Sequence, residues 1–235
     1  MTNGWDESAA AWIADMGTRG DYGREFVLDQ PMIGRVKGRG FQRALDVGCG
    51  EGRFCRMLKQ LGVKAVGIDP TKALVQHARQ QDPEGEYRLG TAEALEFADR
   101  SFDLVVSYLT LIDIPDVHAA IAEMSRVLRP GGTLLIANLN SFITAGPPNG
   151  WVRDPSGEPR FYIDRYMEER PEWFAWRGIR VHNWHRPLST YMSLLLEQRL
   201  RLLHFSEPLP VGGDPATLER HRRLPYFVMM EWQKD

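Results

Sequence analysis

Short apolar runs rich in β-branched residues alternate with segments whose apolar positions recur every three to four residues, from about residue 44 to residue 139. "ALDVG" (44–48) and "GVKAVGID" (62–69) flank a helical pattern near Glu51–Leu61, which makes a βαβ unit. The alternation continues with a helix from Thr71, placed to cap it after Pro70, then strands "EYRLG" and "FDLVVSYL", the helix "PDVHAAIAEMSRVL", the turn "RPGG" and the strand "TLLIANL". This order predicts an α/β fold with a doubly wound, largely parallel sheet. Amphipathic segments over 5–17 and 21–36 precede it and predict an N-terminal helical cap. After Leu139 the pattern breaks into "AGPPNGWVRDPSGEP", longer than a connection requires; such insertions are functional lids or disordered.

Composition narrows the partners. With 235 residues, 43% hydrophobic and 26% charged, the chain can bury the core of one domain. Its 29 Lys+Arg against 31 Asp+Glu give a net charge of -2, with no long-range pull toward nucleic acid or an anionic membrane. The expected partner is a small molecule. No basic segment precedes an apolar core at the start, and no stretch approaches the ~20 apolar residues of a membrane span, so a cytoplasmic protein is expected. Cys49 and Cys55 are the two cysteines, both at the glycine-rich loop; neither a structural disulfide nor a metal site is expected from them. The oligomeric state stays open.

The candidate chemistry begins at that loop. Gly48, Gly50 and Gly52 spell G-x-G-x-G, which lets backbone approach a ligand, but Arg53 stands where a dinucleotide fingerprint needs its third glycine. Asp46, two residues before the first glycine, is poorly placed beside a pyrophosphate and suits a ligand carrying ammonium or sulfonium charge. Asp69 ends the second strand of the βαβ unit, where a carboxylate can accept hydrogen bonds from both ribose hydroxyls. The alternative is a tight strand-to-helix turn with a coincidental acid.

"LDVGCGEGRF", "GIDPTKALVQHA", "GTAEALEFADRSFDLVVS" and "LRPGGTLLIANL" resemble, in order and spacing, the successive motifs of class I S-adenosylmethionine-dependent methyltransferases. The flanks resemble a bacterial small-molecule subgroup akin to the ubiquinone and menaquinone biosynthesis methyltransferases. The resemblance implies a Rossmann-like seven-stranded mixed sheet with "PYFVMMEW" as its antiparallel last strand. It implies S-adenosylmethionine as cofactor and S-adenosylhomocysteine as product. Gly48, Cys49 and Gly50 would line the methionine part, Asp46 would lie beside it, Asp69 would hold the ribose and Pro70 would flank the adenine. Thr91 stands where the family often has an acid, so the adenine amino group would rely on Ala92 backbone and the Glu93 carboxylate. Ser107 and Tyr108 would sit near the sulfonium. Arg24 is either a bidentate partner for the methionine carboxylate or a solvated helix residue.

The acceptor side is read from the aromatic-rich segment between Trp151 and Tyr191, which either roofs a flat apolar substrate or covers the sheet edge. Tyr22, Trp151, Tyr162, Trp184 and His185 are the candidate substrate residues. His185 is also the candidate general base, against the alternative of a hydrogen-bonded packing histidine. The expected organisation is one domain: a cap (1–38), a cofactor-binding core (40–140), a substrate-roof insertion (141–187) and a C-terminal helix with the last strands (188–235). The function expected is methyl transfer to an O or N atom of a small aromatic or heteroaromatic molecule. Alternatives are a non-catalytic S-adenosylmethionine-binding regulator and a nicotinamide-dependent oxidoreductase, the latter disfavoured by Arg53.

Overall fold

The structure, a computed structural model, describes residues 3–146 and 150–235. Residues 1–2 of the expected cap and 147–149 of the Gly/Pro cluster lie outside that description. The cap consists of α1 (Trp5–Met16), a five-residue π-helical segment (Arg24–Leu28) and α2 (Asp29–Val36). There follow β1 (Arg43–Val47), α3 (Arg53–Gln60), β2 (Lys64–Asp69), α4 (Lys72–Gln81), β3 (Glu86–Leu89), β4 (Phe102–Tyr108), α5 (Val117–Val127) and β5 (Leu128–Leu139). α4 begins after Thr71 as expected, yet the Thr71 side chain makes no capping bond.

The main sheet has seven strands. Across it run β3, β2, β1, β4 and β5, then the C-terminal strands β11 (Phe227–Lys234) and β10 (Leu200–Ser206). β11 pairs antiparallel with both of its neighbours, and the other pairings of the sheet are parallel. Helices cover both faces, so the central strands are apolar almost throughout. The period-2 alternation then sorts each strand between two cores. Leu45 and Val47 pack with Met124 and Leu195, on the side of α5 and of α7 (Leu188–Glu197). Ala44, Leu104 and Val106 pack with Met32, Phe54 and Leu58, on the side of α2 and α3. α2 is tied to the sheet by charge as well: the fully buried Glu231 accepts from Arg35 Nε at 2.6 Å and from Arg39 Nη1 at 2.5 Å.

The segment between β5 and α7 holds the short α6 (Ser141–Thr144) and two antiparallel hairpins. These are β6 (Gly150–Arg153) with β7 (Pro159–Tyr162), and β8 (Arg170–Trp176) with β9 (Ile179–His185). α8 (Pro215–Arg223) precedes the final strand. The second hairpin does not stand alone. The buried Ser8 hydroxyl of α1 donates to Arg180 O at 3.0 Å and accepts from Arg180 N at 2.9 Å, while His182 N donates to Asn3 O at 2.9 Å. Gly4 is required at this junction: its φ is +83°, and a Cβ there would lie 2.1 Å from Arg180 O.

Just beyond β9, Arg186 is 1% exposed and clamps the loop that follows β4. Its guanidinium donates to Leu111 O at 3.2 Å and to Ile114 O and Pro115 O at 2.8 Å each. Among the described residues no helix is long and apolar enough to cross a membrane. Replacing Arg186 leaves three loop carbonyls short of a partner, each costing about 1–3 kcal/mol where water cannot compensate. Arg186→Leu is therefore expected to lower stability by about 3 kcal/mol or more, read as a fall in the urea midpoint.

Candidate functional site

A cavity of about 480 Å³ opens at the carboxyl ends of β1, β2 and β4, where open α/β sheets place ligands. Its floor is the glycine loop. Gly48 N and Cys49 N both donate to Ile68 O at 2.8 Å, so the loop turns tightly over the end of β2. Gly48, Gly50 and Gly52 all have positive φ, and a Cβ on Gly48 would sit 2.1 Å from Thr110 Cγ2. Only glycine fits there. Asp69 then clasps the loop: Oδ2 accepts from Gly50 N at 3.0 Å and Oδ1 from Thr71 N at 2.8 Å. Each oxygen keeps a second lone pair for a ligand. Burial pushes the Asp69 carboxyl up, against those hydrogen bonds.

Asp46 is buried beneath the loop. Its Oδ2 accepts from Cys55 Sγ at 3.4 Å, while Oδ1 has no partner among the described residues. Burial pushes the group up to about 7, with the Cys55 contact opposing and Glu51 and Asp69 adding to the rise. Arg24 enters from the π-helical segment. It is not solvated: it pairs with Asp21 at 2.8 Å, and its guanidinium lies 4.9 Å from the Trp12 ring centre and 5.6 Å from that of Tyr108. Arg53, the missing third glycine, is used to lock the cap. It donates to Asp29 from both Nη atoms and to Arg19 O at 2.6 Å, and Tyr108 donates to Asp29 at 2.8 Å.

Arg24, Asp46, Gly48, Cys49, Gly50, Asp69, Pro70, Ala92, Glu93 and Tyr108 thus line one cavity, together with Thr91. Ser107 does not join them. It pairs with Val47 and Ile136, both in the core on the α5 side, so alternation turns its hydroxyl away from the cavity.

The expected substrate aromatics also fall elsewhere. Tyr22 donates to Gly212 O at 3.0 Å and packs on Phe26 and His221. Trp151 donates to Tyr226 Oη at 2.6 Å, and Tyr162 is half exposed on the first hairpin. Along β9 the inward positions are Ile179, Val181, Asn183 and His185, so Trp184 faces outward beneath Arg186. His185 points inward but lies beyond the cavity. It is 1% exposed, with Nδ1 2.8 Å from Thr144 Oγ1 and Nε2 2.9 Å from Tyr166 O. A carbonyl only accepts, so Nε2 carries the proton, and burial lowers the pKa of the ring. Both nitrogens are engaged, which makes His185 a strut between α6 and β9 and removes it as the base.

Sequence reasoning passed over the residues that the cap and the second hairpin bring in. Trp5, Trp12 and Asn3 come from the cap, Trp176, Val181 and Asn183 from the hairpin, and Asp113 from the loop after β4. The available signal was positional: Asp113 closely follows a strand whose carboxyl end faces the ligand crevice.

The Asp46 geometry sets a pH dependence. Its folded pKa, near 7, lies above an unfolded value of about 3.9, so the folded chain holds the extra proton between them. The stability this contributes is full below the unfolded value and is lost as pH rises through 7. Asp46→Asn is expected to flatten that slope, so that between pH 5 and 8 its Tm falls less than that of the unsubstituted protein by scanning calorimetry.

Residues 45–136 match the family described as "Methyltransferase domain". The chain is 32% identical over 107 residues to a ubiquinone biosynthesis O-methyltransferase of Mesorhizobium japonicum, covering 44% of this chain and 43% of that protein. It is 33% identical over 124 residues to a malonyl-[acyl-carrier protein] O-methyltransferase of Serratia marcescens, covering 51% and 49%. The matched region is thus about half the length of these curated relatives. A crystal structure of an S-adenosylmethionine-dependent methyltransferase from Mesorhizobium loti superposes with a TM-score of 0.79 at 25% identity, over 93% of this chain and 100% of that one. Glycine loop, strand order and these likenesses agree: residues 45–136 carry a methyltransferase domain, in a fold shared with S-adenosylmethionine-dependent methyltransferases.

Proposed function

We propose that the chain transfers the methyl group of S-adenosylmethionine to an oxygen or nitrogen of a small aromatic molecule. The observation that carries this reading is the charge of the cavity wall. Six acidic side chains line it (Asp21, Asp46, Glu51, Asp69, Glu93 and Asp113) against Arg24 and Arg53, which are already paired with Asp21 and Asp29. A nicotinamide dinucleotide would bring a diphosphate into that field, at a cost. A sulfonium and an α-ammonium are cations and relieve it.

The residues present fit the cofactor group by group. Asp69 offers free lone pairs to a ribose, and the unpartnered Asp46 Oδ1 marks the cationic end. Glycine-loop backbone would hold the methionine part, with Arg24 turned from Asp21 toward its carboxylate. Ala92 and Glu93 would hold the adenine beside Pro70. When bound, the cofactor supplies a methyl group already activated by positive sulfur. What the protein adds is alignment and dryness: α1 lays Trp12 over the loop, its Nε1 4.0 Å from where a Gly50 Cβ would be. The aromatic character of the acceptor rests on Trp5, Trp12 and Trp176 in the cavity wall.

S-adenosylhomocysteine at about 100 times its Kd is expected to raise Tm by roughly 5–10 °C, and NAD to leave it unchanged. A larger shift with NAD overturns the reading. Asp69→Ala is expected to weaken S-adenosylhomocysteine about tenfold or more in calorimetric titration, through loss of charge-assisted hydrogen bonds worth about 1.5–3 kcal/mol each.

A further inference from the structure

The loop after β4 presents a carboxyl to the cavity that cofactor binding leaves without a task. Asp113 Oδ1 accepts from Trp5 Nε1 at 3.2 Å and from Asn183 Nδ2 at 2.5 Å, so cap, loop and second hairpin meet on one atom. The backbone is equally restrained. Asp113 N donates to Thr110 O at 2.8 Å, Trp184 N donates to Ile112 O at 2.6 Å, and Arg186 holds the carbonyls on either side. Thr110 is the residue pressed against Gly48, so the turn that carries Asp113 is seated on the glycine loop itself. Oδ2 accepts nothing from the described residues. The apolar surface around this carboxyl comes from the same elements: Trp5 and Trp12, edge to face at 5.0 Å, with Ile112 and Val181.

Resting on the methyl-transfer reading, we propose that Asp113 Oδ2 accepts the proton of the methyl acceptor and that the acceptor is a phenol lying against the Trp5–Trp12 wall. A carboxyl with one oxygen pinned by two neutral donors and the other free is built to take a hydrogen bond, and the aromatic wall suits a flat ring. Burial pushes Asp113 up to about 8; Asp69 adds to the rise, Arg24 opposes it, and the bonds from Trp5 and Asn183 also favour the charged form. That value lies about two units below an ordinary phenol, a gap proton transfer can cross, whereas an aliphatic alcohol is far less acidic. In the step, the acceptor O–H bond breaks and its proton passes to Oδ2. The O–H electron pair forms the O–CH3 bond, and the methyl–sulfur pair stays on sulfur as S-adenosylhomocysteine.

The test titrates the protein saturated with S-adenosylhomocysteine against phenol, catechol and 2-naphthol, their O-methyl ethers, and benzylamine. At least one phenol is expected to bind, its ether about tenfold more weakly, because the ether leaves Oδ2 without a donor. Asp113→Asn is expected to lose about tenfold in phenol affinity while S-adenosylhomocysteine affinity stays within about threefold. Phenol affinity in the unsubstituted protein is expected to rise with pH through about 8; Trp5→Phe, which removes one donor to the carboxylate, moves that midpoint upward. Should Asp113→Asn fail to bind S-adenosylhomocysteine, the Trp5→Phe midpoint decides, and an unmoved midpoint overturns the proposal. Equal phenol affinity in Asp113→Asn, no phenol binding at all, or a preference for benzylamine likewise overturns it. Failure of the unsubstituted protein to bind S-adenosylhomocysteine is a different result, since it removes the methyl-transfer reading beneath.

Discussion

One backbone carbonyl, that of Ile68, accepts the N–H groups of both Gly48 and Cys49, and the ligand end of the molecule depends on that pair of bonds. They fold the chain back over the end of β2 within two residues of leaving β1. That places Gly50 N on Asp69 and leaves no room for a side chain at Gly48, where Thr110 presses in from the loop after the neighbouring strand. The loop after β4 is located by the same contact. Glycine loop, Asp69 and the loop after β4 are therefore one mechanical unit at the carboxyl edge of the sheet.

Above this unit, the cap and the second hairpin act as a joint cover. Ser8 bridges both backbone groups of Arg180, and Trp5 and Asn183 share the Asp113 oxygen. Because the two meet over the cavity, displacing one exposes polar groups on the other, which couples them. Arg53 adds a third tie through Asp29, whose carboxylate also receives Tyr108. The substitution that spoils a dinucleotide fingerprint thus has a positive use here: it anchors the cap on the first helix of the core.

The cavity is electrostatically unfinished. Asp46, buried, and Asp113, half-buried, are carboxyls that sit well above their solution range, and Asp46 retains an oxygen with no donor among the described residues. Buried acids without cations cost stability, and proteins retain them where a ligand completes the set. A ligand with fixed positive charge near Asp46 and a neutral hydrogen-bond donor at Asp113 would satisfy both.

How much of this was legible in the sequence follows from the range of the interactions. The strands and helices from residue 43 to residue 139 were readable because their signals are local: apolar runs, 3.6-residue patterns and glycines that tolerate positive φ. The glycine-loop floor of the cavity came with them, since Asp46, the glycines and Asp69 occupy strand ends whose place in a βαβ unit is set by chain geometry. The cavity wall formed by the cap and the second hairpin was not readable. Aromatic density pointed to Trp151, Tyr162, Trp184 and His185, but burial of aromatics says nothing about what they are buried against. Alternation along β9 turned Trp184 outward and Asn183 inward, and Thr144 with the Tyr166 carbonyl absorbed His185. Asp113, Trp5 and Asn183 are far apart in sequence and become a site only when α1 and the second hairpin pack over the loop after β4. Local periodicity determined the alternating strands and helices of the core and the glycine-loop floor; long-range packing alone decided the roof, because no short-range signal records which distant backbone a side chain will meet.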